Sequence, residues 1–271
     1  MPNQSQPIRV FEGNAQPHVP FWNFRNAADT QSGQAELEFY GPISEFSWFG
    51  DEITPRLFKE QLTSNGSKPI TVRLNSPGGD LIAASVISAM IKDYPGKVTV
   101  KVDGLAASAA VMVALAGDVV KINASAYMMI HNPMVGLLGY YNVDELKSLI
   151  DELKSIKNGI VEGYTARTNL ESEKLAKLMD NETWMTASEA VALGFADEVI
   201  TSAGKTNVTN YVNALQNYVN VPQALLPREE DVEAEPMPET SAQAEAGPDP
   251  RKVATLRNYL KVYRPKKENQ S

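Results

Sequence analysis

Between residues 35 and 200 the chain alternates short β-branched runs with stretches that carry apolar residues at helical spacing. "AELEFYGPI" (35–43), "PITVRLN" (69–75), "KVTVKV" (97–102), "DVVKI" (118–122), "AYMMI" (126–130) and "FADEVI" (195–200) read as strands. Between them Thr54 to Leu62 is helical in composition, and "DLIAASVISAMIKDY" (80–94) puts Ile82, Val86, Ile87, Met90 and Ile91 on one helical face. "DGLAASAAVMVALAG" (103–117) reads as the turn into a helix that closes at Gly117. "VDELKSLIDELKSIKNGIVEGYTAR" (143–167) reads as a long helix with Leu146, Leu149, Ile150, Leu153, Ile156, Ile160 and Val161 inward. Thr186 and Glu189 form a capping box and Gly194 a C-cap. Strands that alternate with helices predict an α/β fold, a mostly parallel sheet joined by right-handed crossovers.

Composition narrows the chemistry. At 271 residues and 43% hydrophobic content, the expectation is one domain of about 200 residues plus extensions. There is no cysteine, which excludes disulfides, thiolate zinc sites and a cysteine nucleophile. Two histidines, His18 and His131, argue against a histidine-rich metal site, so neither metal nor cofactor is expected. The opening "MPNQSQPIRVFEGN" lacks an apolar signal region, and the apolar run from Leu105 to Ala116 is shorter than the ~20 residues a bilayer needs. A cytoplasmic protein without membrane contact is expected.

The net charge of −8 is unevenly spread. "PREEDVEAEPMPETSAQAEAGPDP" (227–250) carries eight acids against Arg228, a composition that cannot bury enough apolar surface to offset its ordering entropy, and it reads as a disordered linker. Residues 251–271 then carry seven Lys or Arg against Glu268, with Val253, Leu256, Leu260 and Tyr263 at helical spacing behind Asp249 and Pro250. This segment reads either as a tethered amphipathic helix for an acidic partner or as a solubilising tail, with nucleic acid the weaker target. The expected organisation is an extension (1–34), a core domain (35–205), a linker (206–250) and a basic tail segment (251–271), with residues 1 to about 205 expected to suffice for folding and activity.

Three stretches could carry chemistry. Ser108 stands where a strand turns into a helix, a position that presents a side chain beside free backbone N–H groups. On its own this position reads first as a plain N-cap, a role serine favours. Ala106, Ala107, Ala109 and Ala110 are too small to shield it, which suits an extended peptide as well as tight packing. "NSPGGD" (75–80) suits a backbone oxyanion donor, or simply a Pro-Gly turn into a helix. "MMIHNP" (128–133) ends a strand with the only imidazole on the sheet scaffold, so His131 is the candidate base if Ser108 needs one.

"LNSPGGD", "DGLAASAA", "MMIHNP" and "WMTASEAVALGFADEVI", in this order over residues 35–200, resemble the proteolytic-subunit family of the Clp protease, serine peptidases of the crotonase-like fold built from spiralling β-β-α units. The resemblance implies Ser108 as nucleophile, His131 as general base and the N–H groups of Gly79 and Ala109 as oxyanion hole. It places the family's aspartate at Glu182, whereas spacing from the histidine favours Asp180; Glu182 is the expected acid and Asp180 the alternative.

The flanks resemble the branch of head maturation proteases from tailed phages, which implies cleavage of scaffold and capsid proteins in an assembling prohead. A cellular compartmental protease subunit fed by a Clp-type ATPase is the second expectation, and an inactive assembly component the third. An acyl-CoA enzyme of the same fold would not explain Ser108 and His131 together. The family's stacked rings imply a homo-oligomer.

Overall fold

The computed structural model describes residues 22–25, 30, 34–46, 52–201, 215 and 218–226. The chain divides into two units, Met1–Pro227 and Arg228–Ser271, and every described residue belongs to the first. The acidic stretch 227–250, the basic segment 251–271 and most of the extension 1–34 therefore lie outside the described residues.

A twisted sheet runs in the order β1 (Trp22–Arg25), β2 (Ala35–Tyr40), β3 (Ile70–Ser76), β4 (Val98–Ala107), β5 (Val119–Asn123) and β8 (Glu198–Ile200). Only β1–β2 is antiparallel among these pairs. Helices α1 (Pro55–Ser64), α2 (Leu81–Lys92) and α3 (Ala109–Ala114) make the crossovers. Thr54 starts α1 by accepting from the Leu57 N–H, with Pro55 at the first position, and Asp80 starts α2 by accepting from the Ala83 N–H at 2.7 Å. Ile70, Val72, Leu74, Val98, Val100, Val102, Val120 and Ile122 form the buried face of the sheet, as expected for parallel strands under helices.

β4 serves two partners in succession. Thr99–Val102 pairs with β5, while Leu105–Ala107 pairs with β6 (Tyr127–Ile130), which pairs antiparallel with β7 (Thr183–Thr186). A register shift opposite Leu74 and Ser76 lets β4 change direction between these halves. The strand thus runs to Ala107, beyond the expected end near Val102, and α3 is correspondingly short. Ladder bonds to both β3 and β6 override the helix preference of the alanines, which is the weaker effect.

Two expected helix faces also differ. In α2 the buried residues are Ala83, Ala84, Ile87, Ser88 and Ile91, whereas Ile82 is 71% exposed and Val86 is also exposed. Ala83, Ala84 and Ser88 let this helix lie close to the sheet beside Ile87 and Ile91, while Ile82 and Val86 point away. In α4 (Val143–Thr168) the buried residues are Val161, Tyr164 and Thr168, while Leu146 and Ile150 are 40% and 50% exposed. The first turns of α4 have nothing within the described residues to cover them.

Helix α5 (Ser172–Asp180), absent from the expected elements, packs Leu175 and Met179 into the core. Helix α6 (Ala187–Ala192) begins in the expected Thr186–Glu189 capping box. It ends at Gly194, whose φ of 81° permits the Phe195 N–H to reach the Ala190 carbonyl at 2.8 Å. No helix among the described residues is long and apolar enough to cross a membrane.

Candidate active site

Ser108 joins β4 to α3 with φ 56° and ψ −126°, a left-handed region costly for a residue with a Cβ. Its side chain makes no cap hydrogen bond, so it is not acting as an ordinary N-cap. Its N–H is tied to the Met129 carbonyl on β6 at 2.8 Å. Because β4 and β6 run parallel in register, Ala107 opposite Met129, their C-terminal ends emerge side by side. Ser108 and His131 stand on those two ends, and His131 Nε2 lies 2.7 Å from Ser108 Oγ. Open parallel sheets characteristically place ligands at such strand ends.

Burial holds the His131 pKa below the usual imidazole value, and the nearby Glu182 charge partly opposes this. The ring is thus neutral around pH 7 and able to take the hydroxyl proton.

The turn at Pro77–Gly79 closes one side. A Cβ on Gly78 would lie 2.5 Å from the Ala107 carbonyl oxygen and 2.8 Å from the Ser108 Cβ, so only glycine fits against the serine. The Gly78 carbonyl accepts from the Ile43 N–H, and the Asp80 N–H donates to the Ile43 carbonyl. Gly79, bridged between them with φ 140°, therefore turns its own N–H and carbonyl away from Ile43, toward the open side. The Ala109 N–H is the first of α3 and has no carbonyl one turn behind it to bond.

The two candidate acids part company. The antiparallel β6–β7 register pairs Ile130 with Thr183, and the next step sets Glu182, at φ 46°, across from His131. Asp180 ends α5 instead, where Lys157 donates to it at 2.5 Å and Asn132 at 2.9 Å. Lys157 is the main cause holding its carboxyl below the ordinary aspartate range. The structure brings Ser108, His131 and Glu182 together and leaves Asp180 on the outside of the site.

Sequence reasoning missed what covers this group. Residues 215 and 218–226, assigned to a linker, form a strap over the opposite face of the sheet. Leu215 and Leu225 are 1% and 7% exposed and pack with Leu105, Ala107 and Met129, bordered by Tyr127, Trp184, Tyr218 and Val221. The Tyr218 ring sits edge-on to His131 at 5.3 Å and to Trp184 at 6.0 Å. Burial pushes its phenol up to about 12, so it stays protonated and donates to the Pro77 carbonyl at 2.6 Å, with Ser108 as a further polar neighbour.

Glu182 Oε1 accepts from the N–H groups of Val219 and Asn220 at 2.8 and 2.7 Å and from the Trp184 indole at 3.2 Å, and Oε2 from Val219 at 3.0 Å. The signal available in the sequence was the apolar spacing of Leu215, Tyr218, Val221 and Leu225 just before the acidic run.

Residues 50–203 match the Clp protease family model. Among characterised relatives, the ATP-dependent Clp protease proteolytic subunit 1 of Protochlamydia amoebophila is 34% identical over 153 residues, covering 56% of this chain and 74% of the relative. Subunit 2 from Thermobifida fusca is 33% identical over 157 residues, covering 56% and 76%. A solved ClpP1 mutant from Listeria monocytogenes superposes with a TM-score of 0.53 at 25% identity, covering 61% of this chain and 90% of that one. With a match over more than half its length and the fold in agreement, the chain belongs to the Clp protease family.

Proposed function

We infer that the chain is a serine endopeptidase in which Ser108 is the nucleophile, His131 the general base and Glu182 the orienting acid. The observation that carries this is the 2.7 Å contact between Ser108 Oγ and His131 Nε2, made by a serine whose backbone is held away from a capping geometry. His131 Nε2 takes the hydroxyl proton as Oγ attacks the scissile carbonyl, and the N–H groups of Gly79 and Ala109 receive the oxyanion. Collapse expels the amine, which takes its proton from His131. Water, activated by the same imidazole, then releases the acyl group from Ser108. The Gly79 edge offers an N–H and a carbonyl to an extended peptide.

The working form is a homo-oligomer, and the uncovered start of α4 supports this: Val143, Leu146 and Ile150 suit burial against another copy. The relatives named above are subunits of ATP-dependent proteases, which favours a proteolytic subunit served by a Clp-type ATPase over head maturation. The phage reading rests on the resemblance of the flanks alone. Its partner, an assembling scaffold and capsid, is the substrate to try second.

A fluorophosphonate probe should label the purified protein at Ser108 and leave Ser108→Ala and His131→Ala unlabelled. Labelling that survived in Ser108→Ala would overturn the assignment.

A further inference from the structure

The family match ends at residue 203, and the strap lies beyond it. We propose that the strap is a positioning element of the catalytic machinery: the amides of Val219 and Asn220 clasp the Glu182 carboxylate beside His131, and the Tyr218 ring braces the imidazole. This rests on the proteolytic reading of Ser108 and His131.

The clasp is specific in geometry. Among the described residues, Oε1 receives three donors, whereas Oε2 receives one, the longer bond from Val219. A carboxylate offers about four acceptor positions, so Oε2 keeps capacity toward the ring across the β6–β7 pair. Glutamate has three side-chain torsions, and without anchors its carboxylate would sample many positions around a histidine it has to orient. Two backbone N–H groups on one short turn remove that freedom, as outer hydrogen-bond partners do for catalytic and metal-bound side chains elsewhere.

The packing separates a fixed clasp from a removable cover. Leu215 is as buried as the sheet core, and Leu105, Ala107 and Met129 beneath the strap are fully buried with it in place. An element docked this firmly is present in the working state. It also leaves the Ser108–His131 contact intact. Tyr218 ties the far end of the same turn to the Pro77 carbonyl, beside the Gly78 that packs on Ser108, so the strap fixes both walls of the site relative to each other.

The test uses the full chain, a fluorogenic peptide and amide hydrogen exchange. Val219→Pro deletes one clasp donor; it should lower kcat roughly tenfold or more with KM within about twofold, the signature of a group that acts on the chemical step. In a Glu182→Ala background the same change should cost almost nothing more, because both act through one carboxylate. Tyr218→Ala, which loses the ring as well as the Pro77 bond, should lower kcat further than Tyr218→Phe, which loses the bond alone, a pair that remains informative if the proline variant folds poorly. The Val219 and Asn220 amides should be protected in the native protein and exchange faster in Glu182→Ala.

Wild-type kcat in both Val219→Pro and Tyr218→Ala, or losses that multiply in the Glu182→Ala background, would overturn the clasp and leave proteolysis standing. A native chain that neither cleaves peptide nor takes the fluorophosphonate would overturn the proteolytic reading instead, and the catalytic role of the strap with it.

Discussion

Ser108 carries a backbone angle that few side chains tolerate, and what it gains is an Oγ aimed at an imidazole instead of at its own helix. That pairing was legible in the sequence because His131 is the sole histidine on the scaffold and ends a strand, and Ser108 marks a strand-to-helix turn. The acid was legible only through the resemblance, which sets Glu182 first and Asp180 second, because the two stand two residues apart at a helix-to-strand turn, where the pairing register sets which one lies across from the ring. Glu182→Gln should therefore lower kcat by at least tenfold, measured by peptide hydrolysis. Asp180→Asn, losing an exposed partner of Lys157, should change it by no more than about twofold. Since burial depresses the His131 pKa, the acidic limb of kcat/KM should fall below the ordinary histidine value of about 6.5. The sign for stability is the same: the fold favours neutral imidazole, a contribution present above about pH 6.5 and lost as pH drops through the depressed folded value. A pH profile between 4.5 and 8 checks the limb, and a midpoint above 6.5 would contradict the burial argument.

Among elements, strands with clear alternation, such as β2 and β3, could be read from residues alone, and so could the caps at Thr186 and Gly194. The end of β4 could not. Leu105–Ala107 is helix-favouring by composition and becomes strand only because β3 and β6 lie on either side of it. The strap was hidden for a related reason: a short apolar run next to an acidic, proline-rich one takes on the character of its neighbour until the surface it covers is known. The consequence is measurable. Leu215→Ala should destabilise the fold by about 2–4 kcal/mol, read as a shift in denaturant midpoint, whereas a linker residue would leave the midpoint unchanged.

On the scale of the whole molecule, the apolar stripe at the start of α4 has the right residues for a core and no partner within the described residues. Sequence periodicity marks such a stripe as buried without saying in whose interior. Ile150→Glu should therefore split the oligomer, seen as smaller species by sedimentation, while leaving each subunit's circular dichroism unchanged. Val219 follows Ser108 by 111 residues, and the chain is made in that order. At synthesis rates of roughly 5–20 residues per second, the proposed nucleophile precedes the proposed anchor of Glu182 by about 5–20 s. Ser108 and His131 are thus made well before the strap residues that bind Glu182. If the clasp acts as proposed, peptide cutting waits until the strap has been made, a temporal safeguard against cleavage among unfolded neighbours.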